Sequence, residues 1–135
     1  MAKRRYDVTD AELAVLQVFW DQGSATIRQL TDALYPGGSA AHYATVQKLL
    51  ERLEAKDYVR RRRQSPAQLA HLFEATVDRD GLIGRLLEQM ADKLCGGSLT
   101  PLLTNLTQAA RSRRLTARER QELRTLIDQL DKRKQ

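Results

Sequence analysis

The stretch AAHYATVQKLLERL, residues 40–53, decides how the chain is read. Val46, Leu49, Leu50 and Leu53 fall at i, i+3, i+4 and i+7, the spacing that puts apolar side chains on one face of a helix. That face predicts a helix packed on a core. Tyr43, Thr45, Gln47, Lys48 and Arg52 lie off the stripe. They are either an ordinary solvated face or a surface that reads a partner. The elements on either side bear on the choice.

Upstream, Thr9-Asp10-Ala11-Glu12 has the form of a capping box, with Val8 and Leu13 spaced as a hydrophobic staple. Leu13, Leu16 and Trp20, flanked by Val15 and Phe19, give a broad apolar stripe that should end near Gly23. Thr26 and Gln29 make a second capping box for a short helix carrying Leu30 and Leu34. Pro36-Gly37-Gly38 breaks that helix before the quoted stretch begins.

Downstream the period changes. Tyr58-Val59 leads into Arg60-Arg61-Arg62-Arg63, and Leu69 to Ala75 follows a polar segment, Gln64 to Gln68. Two strands joined by a turn at Ser65-Pro66 are expected. Such a hairpin cannot stand alone and must lean on the helices. From Asp78 on, everything reads as helix. Asp78 is an N-cap with Val77 and Leu82 as staple, Gly96-Gly97 is a break, and Thr100-Pro101 restarts the chain with Pro at the first helical position. Thr116 to Glu119 opens a last helix.

The chain is mainly α with one small two-stranded hairpin. It divides into a domain at 1–77 and a helical domain at 78–135. The second segment is too small to build a stable core by itself. Its apolar stripes are best buried against a second copy, so a homodimer is expected. Leu86, Met90, Leu102 and Leu106 would form its interface, with Leu123, Leu126, Ile127 and Leu130 from the last helix.

Net charge is +6 and the pI is near 9.8, which favours a polyanionic partner. The excess is uneven: residues 1–80 carry 12 Lys/Arg against 11 Asp/Glu, residues 81–135 carry 11 against 6. Local clusters such as Lys3 to Arg5 and Arg60 to Arg63 therefore matter more than the total. No apolar run approaches the roughly 18 residues of a membrane span. The basic N-terminus lacks the apolar region of a secretory signal. The single cysteine, Cys95, has no internal partner, and a cytoplasmic location is expected. His42 and His71 lack ligand spacing, so neither a metal nor a cofactor is expected. No nucleophile–base set or paired-carboxylate motif suggests an enzyme.

Helix, helix, breaker, helix and hairpin is the order of a winged helix-turn-helix, whose third helix leads into the DNA major groove with its N-terminal end. The motifs VTDAELAVLQVFW in the first helix and TVQKLLERL in the third resemble the penicillinase-repressor (BlaI/MecI/CopY) family. That resemblance implies a dimeric winged-helix repressor of palindromic operators, in front of genes for antibiotic resistance or stress response. It also implies a double-stranded DNA partner and no insertion in the membrane.

On this footing, the DNA-contacting residues are His42, Tyr43, Ala44, Thr45, Lys48 and Arg52 in the third helix. Arg61, Arg63 and Gln64 would act from the wing, and Thr26 at a helix N-terminus that can hold phosphate. Arg52 could instead pair with Asp57. Strand alternation keeps the four arginines from all facing DNA. Ala44 departs from the polar residue that relatives often carry there.

The family resemblance also implies release by a membrane sensor metalloprotease system that triggers cleavage in the C-terminal domain, at an Asn-Phe bond. Asn105-Leu106 is the matching pair, with Leu where the family has Phe, and a helix-face Asn beside a core Leu is the reading the residues favour. The copper-responsive branch has a C-terminal cysteine cluster, which the tail IDQLDKRKQ lacks. Two alternatives stand beside the repressor: a winged-helix module whose basic face meets an acidic protein, and a repressor answering to a ligand or to oxidation of Cys95.

Overall fold

The computed structural model describes residues 8–62 and 71–133. Its elements run α1 (Asp10–Gln22), α2 (Ile27–Leu34), α3 (Ala40–Ala55), β1 (Val59–Arg62), β2 (Leu72–Ala75), α4 (Arg79–Leu94), α5 (Thr100–Arg113) and α6 (Ala117–Arg133). The expected class holds: the described residues form six helices and one antiparallel strand pair. The turn at Ser65-Pro66, with Arg63, Gln64, Gln68, Leu69 and Ala70, lies outside the described residues, as does the basic run Lys3 to Arg5.

Local chemistry sets the helix ends. At α1 the Thr9 Oγ1 accepts from the Glu12 N–H (3.2 Å) and the Glu12 carboxylate accepts from the Thr9 N–H (3.1 Å). Thr26 and Gln29 repeat this reciprocal bonding at α2, with 3.2 and 2.8 Å, and Thr116 and Glu119 repeat it before α6. Each box thus satisfies the N-cap and N3 N–H groups without water. Asp78 caps α4 through its carboxylate and the Gly81 N–H, 2.6 Å apart. Gly23 ends α1 at φ +85°, where a Cβ would be strained. Pro101 lies within the first turn of α5, one position later than expected, because Thr100 is already helical and Leu99 is the cap.

The core gathers Val15, Leu16 and Phe19 of α1 with Leu30 of α2 and the α3 stripe Val46, Leu49, Leu50 and Leu53. Tyr58, Val59 and Phe73 bring the strands onto it, and Val8, Leu13 and Trp20 pack at its edge. In the strand pair Val59 faces Ala75, Arg60 faces Glu74, Arg61 faces Phe73 and Arg62 faces Leu72. The pair is tied to the helices by more than side chains. Ala25, between α1 and α2, exchanges two backbone hydrogen bonds with Phe73, at 2.9 and 2.8 Å.

Two compact units result, Met1–Gln89 and Met90–Gln135. The first extends past residue 77 because Val77 and Leu82 are buried in its core and Leu86 packs against it. The Trp20 indole N–H also donates to the Val77 carbonyl at 2.9 Å. In the second unit, α5 and α6 carry large apolar side chains in the open: Leu103, Leu106, Leu123, Leu126, Ile127 and Leu130.

Candidate nucleic-acid interface

With its apolar stripe fixed to the core, α3 has no freedom over what it presents. At about 100° per residue, Thr45, Lys48 and Arg52 share one exposed flank. Tyr43, Gln47 and Glu54 share the other, and Ala44 stands at the crest between them. Tyr43 is 39% exposed, and Ala44, Thr45, Lys48 and Arg52 are all exposed. The Thr45 hydroxyl donates to the Ala41 carbonyl, 3.0 Å away. Its oxygen and methyl group remain to meet a partner.

His42 has a second occupation. Its Nδ1 accepts from the Ser39 N–H at 3.1 Å. The ring stacks on Tyr35 with centroids 4.5 Å apart. This ring pair shapes the turn into α3 and leaves no room beside Gly38, where a Cβ would stand 2.7 Å from the Tyr35 carbonyl oxygen and 3.0 Å from His42 Nδ1. His42 therefore helps to build the leading end of α3, a role its position alone did not announce.

The second flank of α3 borders a groove whose far wall is α2 and the strands. Thr26, Arg28, Tyr43, Gln47, Arg61, His71 and Phe73 line it. A neighbouring hollow at the start of α3 shares Arg28 and Tyr43. Arg28 and His71 were not among the expected contacts. Arg28 sits two residues after the capping Thr26, and that adjacency to a helix start was its only sequence signal. Its closeness to Tyr43 is a product of the fold.

The described wing arginines all have partners. Arg61 makes a two-pronged pair with Glu54 of α3, Nε at 2.9 Å and a terminal nitrogen at 2.8 Å, and its guanidinium lies 5.4 Å from the centre of the Phe73 ring. The hydrogen bond from Arg61 holds the Glu54 carboxyl below the ordinary carboxylate range, with burial opposing. Arg61 is correspondingly raised, chiefly by that same bond. Arg60 and Arg62 lie on the opposite strand face and share Glu74, at 2.6 and 3.2 Å. Strand alternation separates them from Arg61, as the sequence requires.

In the second unit Met90, Leu106, Leu123, Leu126, Ile127 and Leu130 are exposed and Leu102 is half-buried. Leu86 belongs to the first unit and leans on its core. Asn105 is exposed within α5, its side-chain amide donating to the Pro101 carbonyl at 2.8 Å. Cys95 is half-buried. Among the described residues no group of three or more His, Cys, Asp or Glu is placed to hold a metal ion, and no helix is long and apolar enough to cross a membrane.

Three packed helices, an antiparallel wing and an open third-helix face are the architecture of a winged-helix DNA-binding transcriptional regulator. The sequence profile of the penicillinase repressor family matches residues 8–129, and the chain belongs to that family. No individual curated protein matches it. Similar solved structures include the Bordetella bronchiseptica regulator BpsR, studied for regulation of its DNA binding by 6-hydroxynicotinic acid. It has a TM-score of 0.47 and 22% identity, over 92% of this chain and 80% of that one. A MarR variant of E. coli complexed with operator DNA has a TM-score of 0.49 and 21% identity, over 92% and 76%. A transcriptional regulator of Thermotoga maritima has 0.46 and 22%, over 78% of each chain.

Proposed function

We propose that the protein is a cytoplasmic repressor that binds a palindromic DNA operator as a homodimer, with α3 in the major groove. The observation that carries this reading is the outward face of α3. Small Ala40, Ala41 and Ala44 at its leading end let the helix backbone come close to base edges, and Ala44 offers a methyl group for thymine. Tyr43 and Thr45 beside them would meet base edges, while Lys48, Arg52 and Arg28 would meet phosphates. Arg61 would support the wing against α3 as well as face the DNA. Arg63 and Gln64 belong to the same proposed surface, and the free N–H groups at Thr26 suit a phosphate.

The division of labour we propose is DNA binding by residues 1–77 and dimerisation by 78–135. Met90, Leu102, Leu106, Leu123, Leu126, Ile127 and Leu130 would be covered by the second copy, and Leu86 is proposed for the dimer contact as well. De-repression would follow proteolysis at Asn105-Leu106, triggered through a membrane sensor metalloprotease. The exposure of this pair supports access. Its helical backbone requires that α5 open locally before a protease can take it.

The test begins by selecting preferred duplexes from a randomised pool and titrating the protein on the selected duplex and on mixed-sequence DNA. Lys48→Ala should weaken both and flatten the salt slope by about 1. Thr45→Ala should leave mixed-sequence binding unchanged and reduce discrimination at one base pair by about 1 kcal/mol, the low end for a lost base contact. Wild-type behaviour in both variants would remove α3 from the interface.

A further inference from the structure

We propose that Glu74 is a specificity-determining residue: it withholds Arg60 and Arg62 from non-specific phosphate. The inference rests on the DNA-binding reading above and adds to it a control on unselective affinity. The sequence places four consecutive arginines in the wing, the kind of cluster that binds any duplex through counterion release. The geometry removes much of that charge. Glu74 stands directly across the ladder from Arg60 and diagonally from Arg62. One carboxylate oxygen is 2.6 Å from the Arg60 Nε and the other is 3.2 Å from an Arg62 terminal nitrogen. Both arginine side chains are well exposed, 68% and 57%, whereas the Glu74 side chain is only 19% exposed. They are thus open to polyanions, and an arriving phosphate must compete with an anion already in place.

On the other strand face Glu54 holds Arg61 in the same manner. Three described arginines therefore face two carboxylates, and the described strand presents a net charge of about one from these five groups rather than three. The pairs differ in consequence. Arg61 is held by α3 itself and over Phe73, so its carboxylate braces the wing on the recognition helix. Among the described residues Arg60 and Arg62 show no ring contact of that kind, and Glu74 is the carboxylate that offsets their charge. Long-range attraction to DNA is sequence-blind, so damping it raises the share of binding that comes from the base-reading face of α3.

The experiment measures binding of the full chain to a mixed-sequence 30-mer duplex and to a selected duplex across a salt series. Variants are Glu74→Gln, Arg60→Gln/Arg62→Gln, the triple combination, and Asp21→Asn as an equal change of net charge elsewhere. Glu74→Gln should bind the mixed duplex about three- to tenfold more tightly, with a salt slope steeper by about 1 to 2, since each phosphate newly neutralised adds about 0.9. Affinity for the selected duplex should rise less, so discrimination falls. In the Arg60→Gln/Arg62→Gln background the Glu74 substitution should have little effect. An unchanged slope in Glu74→Gln, an equal gain from Asp21→Asn, or persistence of the gain without the two arginines each overturns the inference. Wild-type protein that fails to bind either duplex even at low salt overturns the DNA-binding reading itself.

Discussion

Glu12 is the most buried acid of the described chain, 1% exposed, and it performs two tasks at once. One carboxylate oxygen closes the capping box with Thr9. Both approach the Lys56 ammonium, at 3.0 and 2.7 Å, just past the end of α3. Burial pushes its carboxyl up, but Lys56 and the Thr9 bonds together hold it below the ordinary carboxylate value. Because the folded pKa is depressed, the group adds stability above the unfolded value of about 4.3, and that increment is lost as pH falls through the folded value. Lys56→Met should leave Glu12 buried with its lysine gone, destabilising the fold by about 2 kcal/mol, less than a fully buried pair because Lys56 keeps some solvent. Urea unfolding at pH 7 and at pH 3.5 checks both parts: the variant should be weaker at pH 7, and the gap should narrow in acid. An equal gap at both pH values would show that the pair is not what Lys56 contributes.

At the scale of elements, the turn before α3 carries more than its length suggests. Gly38 is pressed between the Tyr35 carbonyl and the His42 ring, and Gly37 takes φ +72°. A methyl group at residue 38 must displace backbone or unstack the rings. Gly38→Ala should therefore cost about 1–3 kcal/mol in stability, and it should weaken selective DNA binding more than mixed-sequence binding because it tilts the leading end of α3. Thermal unfolding together with the two titrations would show this, and a variant as stable and selective as wild type would contradict it. The contrast with the capping boxes explains what a sequence discloses. Thr9–Glu12, Thr26–Gln29 and Thr116–Glu119 each complete a bond within four residues, so the letters suffice. The α3 stripe is equally local. What the letters withheld lay across the fold. Glu54 and Glu74 meet arginines 7 to 14 positions away, Ala25 pairs with Phe73, and Arg28 comes beside Tyr43. The arginine run announced a cationic wing because its partners are distant in sequence. In the fold, the described part of that charge is largely spoken for.

At the scale of the whole molecule, the apolar faces of α5 and α6 are the largest unsolved cost. A 17-residue helix with Leu123, Leu126, Ile127 and Leu130 in water is marginal on intrinsic propensity alone. Leu126 at 57% exposure and Leu130 at 64% leave most of their apolar area in water until something covers it. A second copy of the same faces is the proposed cover, and it makes folding of this unit depend on association. Stability should then follow mass action, with the thermal midpoint rising as protein concentration rises. Leu126→Glu/Leu130→Glu should sediment as a 15.4 kDa protomer where wild type sediments as twice that mass. It should also lose the concentration dependence. The first unit has its own core, Leu16, Leu30, Leu50 and Phe73, and should stay folded in the variant. DNA binding should therefore survive in kind but fall more than about tenfold at equal protomer concentration, because two half-sites no longer act together. Wild-type protein that runs as a protomer at micromolar concentration, with a midpoint independent of dilution, would remove the homodimer and with it the expectation of a palindromic operator.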